Sequence, residues 1–248
     1  MLSDAPPLSS PPVATAIAHL RGVFAGPGTW WDVAPRPGEA YGDYLDGARL
    51  HWKLLRGGYS MGSNRRGRTL LRLARSAARD GVPGALVDCG VWNGGSTVLL
   101  AAGAPDRPVY AFDSFQGLPQ PGDLDGDESA GHAGYCLGSE QKVREAFARF
   151  VPGADLRVRA GWFEDTFPAA EREIDSVAVL HCDGDWYDSV LLSLETFYPR
   201  IPSGGYVVID DYGHWIGARR ATDEFRRRVG DHTPLVRADY TGRYWRKP

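Results

Sequence analysis

The sequence is short of cysteine, of net charge and of long apolar runs, and each shortage narrows the field. Its three cysteines, Cys89, Cys136 and Cys182, are an odd number without a CxxC pair, which gives no disulfide framework to expect. Cys89 and Cys182 lie beside strand-like runs, where a free thiol packs as a small hydrophobe, and the reading is a reducing, cytoplasmic protein. A formal net charge of -3 over 248 residues supplies no general electrostatic reason to hold nucleic acid or an anionic membrane. No stretch reaches the length of a membrane span. Met1 to Ala16 contains Pro6, Pro7, Pro11, Pro12 and Asp4 and has no basic segment leading into an apolar one, so it does not read as a secretory signal. There is no internal repeat, and a small-molecule partner is expected.

What is present is a regular alternation. Leu70, Leu71, Leu73, Ala74, Ala77 and Ala78 fall at helical spacing between Arg65 and Asp80, and Gly81-Val82-Pro83-Gly84 stops that helix. Strands are expected at Ala85–Cys89, Val109–Phe112, Leu156–Ala160, Val177–Leu180 and Tyr206–Ile209. Helices are expected at Thr97–Ala102, Lys142–Phe150, Val190–Phe197 and Ala218–Val229, with one or two closing strands from Leu235 to Trp245. This pattern predicts an α/β fold with a doubly wound, mostly parallel sheet. Residues 1–50, rich in Pro and Gly, read as an irregular N-terminal extension with one short helix around Val13 to Val23. That extension is expected to cover the core, as part of an acceptor site or an oligomer contact, with residues 51–248 forming the core.

Gly90-Val91-Trp92-Asn93-Gly94-Gly95-Ser96 turns the first strand into a helix, an arrangement in which small residues let a cofactor approach the backbone. The turn is neither the Gly-x-Gly-x-x-Gly of dinucleotide binders nor a Gly-Lys-Ser/Thr phosphate loop. Its bland alternative is a tight turn serving helix packing. Asp113 ends the next strand about twenty residues on, where an acid accepts hydrogen bonds from ribose hydroxyls; otherwise it is a cap. A ribose acid without a phosphate-binding pattern points to S-adenosylmethionine. The loop Gly161-Trp162-Phe163-Glu164-Asp165-Thr166-Phe167-Pro168 offers a flat apolar wall for adenine.

Two acidic clusters, Asp183-Gly184-Asp185 and Asp210-Asp211, each follow an apolar run. Ligands of parallel sheets bind at the carboxyl ends of the strands, so Asp183, Asp210 and Asp211 are candidate ligands of one Mg²⁺-like ion, which prefers oxygen donors. Asp188 and Ser189 are better explained as caps of the helix that follows. Without a cation at least one of the crowded acids should hold a proton. A metal beside S-adenosylmethionine implies a hydroxyl acceptor, with Asp185 as first candidate for the base and His214 as second. Trp186, Tyr187, Tyr212 and Trp215 would suit a flat acceptor, or simply wall the pocket.

The motifs Leu86-Val87-Asp88-Cys89-Gly90-Val91-Trp92-Asn93-Gly94-Gly95-Ser96, Phe112-Asp113-Ser114-Phe115-Gln116-Gly117-Leu118-Pro119, Gly161-Trp162-Phe163, Asp183-Gly184-Asp185-Trp186-Tyr187-Asp188-Ser189 and Gly204 to Tyr212 together resemble the macrocin O-methyltransferase (TylF-type) family. The resemblance spans Tyr59 to Phe225 and implies a class I S-adenosylmethionine methyltransferase (Rossmann-like) fold. It further implies Mg²⁺-dependent methylation of a sugar hydroxyl on a glycosylated natural product of antibiotic biosynthesis, by a homodimer or higher homo-oligomer. Carried over by position, Asp183, Asp210 and Asp211 would be metal ligands. Asp88, Gly90, Gly94, Ser96, Asp113 and Ser114 would hold the methionine and ribose, Phe163 and Asp165 the adenine, while Tyr59-Ser60-Met61 closes over the cofactor. Two positions depart from the family, which usually carries Glu and Arg where this chain has Asp88 and Asn93. The run Asp123, Asp125, Asp127, Glu128 lacks the ligand series of a calcium loop, and Gln120 to Ser139 reads as a mobile acidic lid. An amino-sugar N-methyltransferase, or a hydroxylase or binding module of the same fold, are the competing readings.

Overall fold

The computed structural model describes residues 41–248; the short helix expected around 13–23 lies outside the described residues. Five parallel strands, β1 (Ala85–Cys89), β2 (Val109–Asp113), β3 (Leu156–Ala160), β4 (Val177–Cys182) and β5 (Tyr206–Ile209), alternate with helices. A closing pair, β6 (Val236–Arg237) and β7 (Arg243–Arg246), completes a sheet of order β3-β2-β1-β4-β5-β7-β6, with β7 antiparallel to β5. The apolar strands β1, β4 and β5 are buried at every position, as centres of a sheet covered on both faces must be.

Side chains alternate across that sheet. Val87, Cys89, Leu180, Cys182, Val207 and Ile209 enter one core, with helices α5 (Phe163–Glu173), α6 (Tyr187–Phe197) and α7 (Ile216–Val229). Leu86, Val179 and Val208 enter the other. There they meet α1 (Tyr41–Arg56), α2 (Asn64–Arg79), α3 (Gly95–Gly103) and α4 (Glu140–Phe150). The strand order reverses direction at β1, between β2 and β4, so the open crevice lies at the carboxyl ends of these strands.

Two helices depart from the sequence reading. Helix α1 runs across position 50, where the extension was expected to meet the core. Its His51 is fully buried and its Nε2 lies 3.1 Å from Ser60 Oγ, so the helix props the segment that precedes α2. Helix α5 begins inside the expected loop 161–168: the Trp162 carbonyl accepts from Asp165 N and Thr166 N at 3.1 Å. Glu164 and Asp165 sit in its first turn, where the helix dipole favours acids. Pro168 is tolerated in the second turn, although it removes one ladder donor.

Candidate active site

A cavity of about 1070 Å³ opens at the carboxyl ends of β1, β2, β4 and β5. On one side the β1–α3 turn supplies Gly90 and Ser96, and the β2 end supplies Asp113 and Ser114. Tyr59, Ser60 and Met61 reach over from the segment before α2, and Phe163 with Glu164 closes the wall. Gly90 has φ of +89°, and a Cβ on it would stand 1.9 Å from the Asp183 carbonyl oxygen, so the turn and the β4 end touch backbone to backbone. The Tyr59 carbonyl accepts from Gly95 N at 2.8 Å, tying the covering segment to the start of α3.

Asp113 presents its carboxylate to this end of the cavity. One oxygen accepts from Trp92 N at 2.8 Å and the other from Phe115 N at 2.7 Å, which fixes the group while leaving lone pairs free. Burial raises its pKa despite these bonds. Three predicted cofactor residues do not line the cavity. Asp88 is fully buried: its Oδ2 accepts from Ser96 Oγ at 2.8 Å and Thr97 Oγ1 at 2.7 Å, and its Oδ1 faces His181 Nδ1 at 2.7 Å. No lone pair is directed at a ligand, because the shorter Asp side chain is consumed by the turn it supports. Gly94 is the left-handed residue that starts α3 and abuts Val143. Asp165 is exposed on α5, one residue beyond the Glu164 that does line the wall.

At the other end Asp183, Asp185, Asp210, Asp211 and His214 all line the cavity. Carboxylate oxygens of Asp183, Asp185 and Asp211 lie within 4.8 Å of one another, whereas Asp210 groups with Asp183 and His181. The division has a clear cause. Asp210 Oδ2 accepts from Arg66 Nη1 and its Oδ1 faces His181 Nε2 at 3.2 Å, so both of its oxygens have internal partners. Arg66 also donates through Nε to Asp239 Oδ2 at 3.1 Å and through Nη2 to Thr241 Oγ1. Asp239 is held in turn by Ser63 Oγ at 2.6 Å and by Thr241 N and Gly242 N.

The electrostatics follow that wiring. Burial pushes Asp210 up, but Arg66 and His181 outweigh it and hold the carboxyl below its usual range. Burial and the neighbouring acids raise Asp183 and Asp185 well above theirs, and Asp211 is raised by burial and by Asp210. Burial pulls His181 down, yet Asp88 and Asp210 bring it up to about 9. Three crowded carboxylates with elevated proton affinity are the donor set a hard divalent cation would take, since the ion replaces the protons that the cluster otherwise needs. Asp185 adopts φ of +56°, a costly conformation for a non-glycine residue, and accepts from Trp215 Nε1 at 2.7 Å. His214 is exposed at the rim, its ring edge-on to Trp215 at 4.3 Å between centroids.

The segment expected to be a mobile acidic lid is pinned by one of its own acids. Asp125 is 2% exposed; its Oδ1 accepts from Tyr187 N, the first residue of α6, and its Oδ2 from Gly122 N, both at 2.7 Å. Gly217 packs so closely that a Cβ there would lie 1.9 Å from Asp125 Oδ1. Asp123, Asp127 and Glu128 point outward. Asn93 joins the two covering segments: its Nδ2 donates to the Gly58 carbonyl at 2.9 Å and its Oδ1 accepts from Ser139 N at 3.1 Å. The sequence reading gave no role to Arg66, His181 and Asp239, and took Asp125 only as part of an acidic lid. The available signals were a histidine inside an otherwise apolar strand and an arginine on the buried side of α2.

The description of the macrocin-O-methyltransferase (TylF) family matches residues 50–247. The chain is 38% identical over 180 residues to demethyldecarbamoylnovobiocin O-methyltransferase of Streptomyces niveus, covering 67% of each protein. It is 38% identical over 192 residues to mycinamicin III 3''-O-methyltransferase of Micromonospora griseorubida, covering 72% of this chain and 74% of that one. The solved structure of the O-methyltransferase NovP shares 34% identity and a TM-score of 0.69 over 76% of this chain and 82% of that chain. This chain therefore belongs to the macrocin O-methyltransferase (TylF) family and is an S-adenosylmethionine-dependent methyltransferase.

Proposed function

We propose that this enzyme methylates a sugar hydroxyl of a glycosylated natural product, using Mg²⁺ held by Asp183 and Asp211 with Asp210 behind them, and with Asp185 beside them as the base. The observation that carries the reading is the joining, in one cavity, of the Asp113 end and a cluster of three mutually close carboxylates. The relatives' names support the acceptor class, since both are O-methyltransferases of antibiotic compounds. Bound there, Mg²⁺ would lower the pKa of an acceptor hydroxyl and fix its orientation.

The chain's own residues account for the rest. Asp113 would accept from the ribose hydroxyls, and Phe163, stacked on Phe167 at 4.7 Å, gives the adenine a rigid face. Trp186 and Trp215, packed edge to face at 4.9 Å, wall the acceptor side. Asp185, held by Trp215 Nε1, would take the hydroxyl proton as the acceptor oxygen forms its bond to the methyl carbon and the carbon–sulfur bond breaks. S-adenosylhomocysteine and a protonated Asp185 result, and the proton then passes to solvent. Turnover of glycosylated antibiotic precursors with S-adenosylmethionine, followed by mass spectrometry with added Mg²⁺ and with EDTA, tests this directly. A gain of one methyl that EDTA abolishes is expected; equal turnover in EDTA would remove the cation from the reading.

A further inference from the structure

We propose that His181 is a positioning residue that holds the acid end of the cavity in register with the cofactor turn. It is 1% exposed, in a strand whose every residue is buried. Its two ring nitrogens are divided between two strands: Nδ1 lies 2.7 Å from Asp88 Oδ1 on β1, and Nε2 lies 3.2 Å from Asp210 Oδ1 at the end of β5. Each carboxylate is then committed outward. Asp88 passes the constraint to Ser96 and Thr97 in the first turn of α3, and Asp210 passes it to Arg66. The result is one line of hydrogen-bonded groups crossing three adjacent strands along the cavity floor, where Ser96, His181, Asp210 and Arg66 line it, from the residues that carry the cofactor turn to those that carry the acid cluster.

The simpler reading is a core histidine that happens to be satisfied. Burying one imidazole between two carboxylates is costly, and apolar residues of the same volume fill such sites at least as well. A stability role alone therefore does not explain the arrangement, whereas fixed orientation of two carboxylates does. Asp210 has no freedom to rotate while His181 and Arg66 hold its two oxygens, so the direction it offers to Asp183 and Asp211 is set from below.

The inference rests in part on the cation of the proposed function, and the test separates the two. The amide nitrogen of His181→Asn reaches the place of Nδ1 and that of His181→Gln the place of Nε2, so each variant keeps one bond and loses the other. S-adenosylhomocysteine affinity is read by calorimetry and Mn²⁺ affinity by electron paramagnetic resonance, neither requiring turnover. His181→Asn should keep S-adenosylhomocysteine binding and lose roughly tenfold in Mn²⁺ affinity, while His181→Gln should do the reverse, as expected when one bond to a charged group is lost. Equal effects of both variants on both ligands, or no effect, overturn the proposal. If the wild-type chain holds S-adenosylhomocysteine but no Mn²⁺, the cation reading fails, and His181 is judged on the cofactor difference between the two variants. Where either variant fails to fold, Asp88→Asn, outside the cavity, weakens the link that His181→Gln removes and should weaken S-adenosylhomocysteine while keeping Mn²⁺ affinity; unchanged S-adenosylhomocysteine affinity, or an equal loss of Mn²⁺, also overturns the proposal.

Discussion

Asp113 and Asp185 are both cavity aspartates at the ends of apolar strands, yet their neighbours assign them different work. Two backbone N–H groups lock Asp113 at the cofactor end, while Asp185 stands among acids with an indole N–H on one oxygen. Asp185→Asn should lower kcat by about 10²–10⁴, the usual worth of a general base, and leave S-adenosylhomocysteine affinity unchanged; a variant with full kcat would return the role to His214. Asp113→Ala should instead weaken S-adenosylhomocysteine by about tenfold or more through two lost charge-assisted bonds, and unchanged affinity by calorimetry would mean that the ribose lies elsewhere. Both residues were legible because an acid directly after an apolar strand falls at the sheet edge whatever the rest of the chain does. Asp88, inside β1, entered only through the family resemblance, which does not reveal that Ser96, Thr97 and His181 have taken its oxygens. Helical spacing could have put Arg66 on the buried side of α2, but not named its partners Asp210 and Asp239, which are far away in sequence.

At the level of elements, the strands were the readable part. Short apolar runs bounded by Gly and Pro leave little choice in a chain of this length. Helix α1 escaped because it carries Gly42 and Gly47 and follows a Pro- and Gly-rich stretch, and α5 because Pro168 and a cluster of aromatics look like a loop. The segment between Gly117 and Ser139 shows what sequence withholds: four acids in six residues suggest solvent, but Asp125 is inside, capping α6 from another part of the chain. Removing it leaves Tyr187 N and Gly122 N without acceptors, so Asp125→Ala should cost about 1–3 kcal/mol. In a chain of this size each kcal/mol is roughly 2–4 °C in Tm. The same change should raise acceptor KM and open the segment to protease, with S-adenosylhomocysteine affinity unmoved. A variant with the wild-type Tm and cleavage pattern would show that the Pro119 contact to Trp186 and the Leu124 contact to Arg220 suffice to hold the segment.

Across the whole molecule, the acid cluster makes stability depend on pH in a way the surface does not. Asp183, Asp185 and Asp211 have raised folded-state values, so they favour folding below the usual 3.8 and withdraw that support as pH rises through their raised range. His181 acts in the same sense: its contribution is complete below 6.5 and is lost as pH rises through about 9. Asp210, held low, has the opposite sign and loses its contribution only as pH falls below 3.8. The cation-free protein should therefore be most stable in mildly acidic solution and lose Tm steadily towards the alkaline side. A divalent cation at the proposed site would bind the ionised carboxylates in place of their protons, so its stabilisation should grow as the competing protons leave. Melting curves in EDTA and in Mg²⁺, taken from the acid side up through the His181 value of about 9, should converge at the acid end and separate progressively above it. His181 is not released by the ion, so some alkaline loss should persist in Mg²⁺. Parallel curves across the range would mean that the carboxylates do not act as one cation site, and the elevated proton affinity of Asp185 would then have to serve proton transfer alone.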